Sequence, residues 1–133
     1  MSDMPLRFAN AQALEDFMTA PTQALVADLA RVDGDIIVLG VGAKMGPTLA
    51  RMAKRAAPGK RVIGVARLSD PAVKAALEAQ GVECIACDLL DRQAMERLPN
   101  AADGVRNSVF MAGHKFGATG NPGQMNYAAS KAG

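Results

Sequence analysis

The chain has 133 residues, half of them hydrophobic and about a fifth charged, with 15 Lys and Arg against 13 Asp and Glu for a net charge of +2. That is enough chain for one domain with its own core, too apolar for a disordered polymer and too evenly charged for a nucleic-acid surface. With no Trp and one Tyr (Tyr127), the core has to be built from aliphatic side chains and Met.

The first predicted elements are two amphipathic helices, "NAQALEDFMTA" and "PTQALVADLARV", the second with Pro21 in its first turn. They form an N-terminal helical extension over residues 1–33. "GDIIVLG" is a short, continuous apolar run ending in glycine, which suits a strand buried on both faces. A helix, "GPTLARMAKRAA", and a second buried strand, "RVIGVAR", follow. "DPAVKAALEAQG" carries its own start and stop signals: Asp70 as N-cap, Pro71 in the first turn and Gly81 at the C-terminal end. "VECIACD" is the third strand, "DRQAMERL" a third crossover helix and "NSVFMAG" the fourth strand. The glycine-rich "HKFGATGNPGQ" reads as a loop, and "MNYAASKAG" opens a helix.

Strands alternating with helices at this spacing pair in parallel through crossovers. The expected fold is therefore α/β, a doubly wound parallel sheet of about four strands over residues 34–133. No apolar run reaches the length of a bilayer span, and the start carries acids rather than a basic-then-apolar leader. The expected compartment is the cytoplasm, with no membrane and no nucleic-acid partner. The basic stretch "RMAKRAAPGKR" reads as a helix face and its exit loop.

Cys84 and Cys87 spell C-x-x-C, but "VECIAC" alternates like a strand, in which residues three apart point to opposite faces. No second pair completes a zinc site, so both are expected to be structural thiols and no metal is expected.

The segment "VLGVGAKMG" joins the first strand to its helix. Gly40 and Gly42 allow a tight turn and a close approach of backbone N–H groups to a ligand, and Gly46 allows helix and strand to pack closely. The free N–H groups and positive dipole of the helix N-terminus then suit a pyrophosphate. The alternative is an ordinary βα turn. At the end of the second strand, where a sheet that prefers NAD carries an acid, stand Ala66 and Arg67. Arg67, with Lys44 in the glycine loop, is suited to a 2′-phosphate; otherwise both are solvated surface charges.

Taken as Gly40, Ala43 and Gly46, the loop resembles the G-x-x-G-x-x-G of the NAD(P)-dependent epimerase/dehydratase branch of the short-chain dehydrogenases, with Ala43 in the place of the middle glycine. The resemblance covers residues 34–117 and implies a Rossmann-like, NAD(P)-binding domain. "CDLLD" is similar to the family's adenine-side segment, which implies Asp88 as acceptor for the adenine amino group and Leu89 against the ring. Asp88 capping the next helix is the other reading. The resemblance extends the cofactor-binding set to Met45 in the loop and to Ala112 and Gly113 at the end of the fourth strand.

The final segment, "GNPGQMNYAASKAG", resembles the active-site helix of the 3-oxoacyl-carrier-protein reductases. It implies Tyr127 as general acid/base and Lys131 as the residue that lowers its pKa and holds the nicotinamide ribose. The position of the family's polarising serine falls on His114, which is otherwise a loop histidine. Both families place a long helix and a fifth strand before Y-x-x-x-K, whereas here one loop leads from Ala112 to Tyr127. The two resemblances are expected to join within residues 115–120, in a truncated or recombined protein with little activity whose unpaired sheet edge favours homo-oligomers.

The expected function is thus NAD(P) binding by a short-chain dehydrogenase-type protein, an oxidoreductase or epimerase/dehydratase by ancestry. The expected cofactor is NADP, with NAD as the second candidate, and the substrate is a small molecule of unknown identity. A catalytically silent nucleotide-binding module is the competing reading. A flavin- or adenosylmethionine-binding domain is disfavoured by Y-x-x-x-K.

Overall fold

The computed structural model describes residues 7–111. Its elements are α1 (Ala11–Met18), α2 (Gln23–Arg31), β1 (Asp35–Leu39), α3 (Gly46–Ala56), β2 (Val62–Ala66), α4 (Pro71–Ala79), β3 (Glu83–Ala86), α5 (Arg92–Glu96), a 3-10 turn at Ala101–Asp103 and β4 (Val105–Phe110). The strands form one all-parallel sheet in the order β3-β2-β1-β4. Helices flank it, giving an α/β, Rossmann-like architecture.

The apolar runs form strands because both of their faces are buried. Ile36, Val38 and Val62 point to one side, with Val41, Ala50, Leu77 and Val82, so that this core joins the sheet to α3 and α4. Ile37, Ile63 and Val65 point to the other, where Cys87 and Val105 join them and α5 contributes Ala94 and Met95. Side chains alternating across a strand require this division. Val38, Val62, Ile63 and Val65 are completely buried.

Four helices start on a side-chain cap: Asn10 accepts from the Ala13 N–H, Thr22 from Leu25, Asp70 from Ala72 and Asp91 from Ala94. Thr22, not Pro21, therefore opens α2, and Pro21 lies just outside it. The hydroxyl satisfies an N–H that the helix leaves without a partner, and proline has no side-chain acceptor to offer there. The third crossover is short, with α5 running only from Arg92 to Glu96 before Pro99.

The N-terminal helices dock on the outer side of α3 through polar contacts. Arg55 donates to the Asp16 carbonyl at 2.8 Å and to Oγ1 of the fully buried Thr19 at 2.7 Å. Arg51 pairs with the Asp16 carboxylate, and Leu29 of α2 reaches the core. Further along the same basic stretch, Lys54 donates to the carbonyls of Pro58 and Lys60, Lys60 to that of Val32, and Arg61 grips Glu83 of β3 with two nitrogens. The cations of "RMAKRAAPGKR" are thus engaged within the fold.

Candidate functional site

β1 pairs with β2 on one side and with β4 on the other, so the chain reverses its direction of travel across the sheet at β1. In open α/β sheets the crevice beyond the carboxyl ends of the strands at such a reversal is where ligands bind. A cleft of about 490 Å³ lies there, lined from all four strand ends: Gly40, Gly42 and Ala43 after β1, Ala66 to Asp70 after β2, Cys87 to Leu90 after β3, and Phe110 with Met111 from β4. The volume is in the usual range for a small-molecule site.

The loop after β1 is held by its own backbone. The Gly40 and Val41 N–H groups donate to the Val65 carbonyl at 2.7 and 3.1 Å, Ala43 N–H to Gly40 and Gly46 N–H to Ala43. Gly40 has φ +89°, and a Cβ there would lie 2.5 Å from the Met111 carbonyl oxygen, so both conformation and space require glycine. A Cβ at Gly46 would collide with the Val41 backbone, so glycine lets the start of α3 fold tightly against its own preceding loop, a contact with the loop and not with a strand. The backbone N–H groups of Gly42, Lys44 and Met45 have no acceptor among the described residues. No side chain caps α3. Within the first turn of α3 itself the Gly46 N–H already donates to Ala43 and Pro47 has no N–H, so the free donors belong to the loop rather than to the helix.

Arg67 is exposed on the cleft wall and makes no ion pair among the described residues. The next residue, Leu68, has φ +52° and packs its side chain on the core. A left-handed leucine costs about 1–2 kcal/mol, offset here by burial. Across the cleft, Asp88 Oδ1 accepts from the Leu90 N–H at 2.9 Å, and Leu89 packs into the core of the α5 face. Asp91, not Asp88, caps α5, so the helix-capping reading of Asp88 does not hold.

Gly40, Gly42, Ala43, Arg67, Asp88 and Leu89 are therefore brought together on one cleft. Lys44 and Met45 are exposed on the same loop but are not among its lining residues, and Gly46 is buried beneath the loop. Ala112, Gly113, His114, Tyr127 and Lys131 lie outside the described residues. Among the lining residues not expected from the sequence are Cys87, Ser69 and Asp70. Cys87 follows directly on β3, and Ser69 and Asp70 lie in the loop after β2, so the rule that ligands lie beyond carboxyl ends is the signal that would have found them.

Cys84 packs with the core under α3 and α4, and Cys87 with that under α5, so the C-x-x-C thiols sit on opposite faces of the sheet and both are free. Burial, then the nearby Glu78 charge, pushes the Cys84 thiol pKa up. Among the described residues no group of three His, Cys, Asp or Glu side chains could hold a metal ion, and no helix is long and apolar enough to cross a membrane. No protein-family model, curated protein or solved structure matches the chain.

Proposed function

We propose that this chain binds a nicotinamide dinucleotide in the cleft, NADP(H) ahead of NAD(H), as a short-chain dehydrogenase-type protein related to oxidoreductases and epimerase/dehydratases. The observation that carries the reading is the position of the cleft: it opens where the strand order reverses, and the glycine loop after β1 lines it with the free backbone N–H of Gly42. In this reading the N–H of Gly42 receives the pyrophosphate, Arg67 the 2′-phosphate, and Asp88 with Leu89 the adenine. A bound nicotinamide would supply hydride chemistry. Tyr127 would move the proton, Lys131 would hold the tyrosine's pKa down, and His114 would stand beside the substrate carbonyl.

The test is titration of the purified chain with NADPH, NADH, FMN and S-adenosylmethionine by calorimetry, with NADPH fluorescence as a second readout. The absence of Trp keeps energy transfer out of that signal. Saturable binding of the two nicotinamide dinucleotides alone supports the reading; binding of FMN or S-adenosylmethionine in their place overturns it. NADPH oxidation with ketones or acetoacetyl thioesters that is lost in Tyr127→Phe would make the chain an enzyme. Binding without turnover would make it a silent nucleotide-binding module.

A further inference from the structure

We infer that Asp70 opposes Arg67 in the cleft and so limits how far it prefers a dinucleotide carrying a 2′-phosphate. The inference rests on the proposal that the cleft holds a dinucleotide. Arg67 and Asp70 stand on the same wall, at the two ends of the loop between β2 and α4. They form no ion pair with each other, so neither group is tied to the other when a ligand arrives. Asp70 Oδ1 accepts from the Ala72 N–H at 2.9 Å, and no partner for Oδ2 exists among the described residues.

The carboxylate therefore does two things at once. It caps α4, taking the place at that helix N-terminus which an anion would otherwise favour. Its second oxygen is left as an acceptor for a hydroxyl. A 2′-phosphate of about two negative charges is attracted by Arg67 and repelled by Asp70, whereas an unphosphorylated ribose can donate to Asp70. The strand end itself carries Ala66 and Arg67 in place of the acid of an NAD-preferring sheet. The loop brings an acid back to the cleft three residues after Arg67.

Asp70→Asn and Asp70→Ser each keep a side-chain acceptor for the α4 cap while removing the charge. The experiment compares both variants with the parent chain for binding of NADPH, NADH, 2′,5′-ADP and 5′-AMP, with circular dichroism as a check on folding. In both variants the two 2′-phosphorylated ligands should bind roughly fivefold more tightly, from screened Coulomb repulsion across the cleft. NADH and 5′-AMP should hold or weaken, and the gain should shrink at high salt. Dinucleotide binding with an unaltered 2′-phosphate preference in both variants overturns the role of Asp70 alone. Absence of dinucleotide binding in parent and variants alike overturns the reading of the cleft and this inference together.

Discussion

Val41 lies directly over Gly64: a Cβ built on Gly64 would fall 2.9 Å from both methyl carbons of the fully buried Val41. The middle of β2 lacks a side chain so that the second residue of the β1–α3 loop can be seated against the sheet, which places Gly42 at the cleft. Gly64→Ala should overpack this contact and destabilise the fold by about 1–3 kcal/mol. Combined with Val41→Ala it should cost less than the sum of the two single changes, measured by urea unfolding. Additive costs would show that the two residues are not in contact.

Gly42 is exposed on the cleft, and a Cβ there would sit 3.3 Å from Ala66 Cβ. Gly42→Val should push branched methyl groups into the space proposed for the pyrophosphate and weaken NADPH by at least tenfold, on the order of 1.4 kcal/mol. Calorimetry on a variant with parental circular dichroism decides the point. Unchanged affinity removes the loop from the site.

Arg67→Ala should lower NADPH affinity by roughly tenfold, the usual worth of a charge-assisted hydrogen bond, and leave NADH within about twofold. The ratio of the two dissociation constants is the readout. Equal losses for both cofactors would mean that Arg67 does not meet the 2′-phosphate.

Cys87 lines the cleft at 8% exposure, while Cys84 packs on the opposite side of the sheet. Saturating NADPH should therefore slow alkylation of Cys87 several-fold and leave Cys84 unchanged, as read by mass spectrometry of iodoacetamide-labelled peptides. Cys84, its thiol pKa raised by burial, should react more slowly at neutral pH than an exposed cysteine. Because the thiols face apart, mild oxidation should yield no intramolecular disulfide between them.

Arg51, then Gln12, holds the Asp16 carboxyl below its ordinary pKa, and Arg61 does the same for Glu83. Groups depressed in the folded state contribute stability above their unfolded pKa and lose it as pH falls through the folded value. The urea midpoint should thus drop between about pH 5 and pH 3, and less steeply in Asp16→Asn combined with Glu83→Gln. A parental slope in that double variant would remove the two ion pairs from the acid response.

Much of the architecture was legible in the residues themselves. Continuous apolar runs such as "DIIVL" and "VIGVA" declare strands buried on both faces, and the alternation with capped helices forces them into a parallel sheet. Gly40 carried its geometric role in its spacing, because a tight turn is local, whereas Gly46 packs against the loop at Val41 rather than against a strand. Pro21 and Thr22 both suit a helix entrance in the sequence, and only the hydrogen bond from the Leu25 N–H to Thr22 Oγ1 chooses between them. Strand order, the clearance above Gly64 and the presence of Asp70 beside Arg67 on the cleft came only with the tertiary structure. Each depends on segments far apart in the chain, or on the path of a loop bent by a left-handed Leu68. Local propensity follows from neighbours along the chain, whereas a cleft at the ends of four strands exists only once the sheet has assembled.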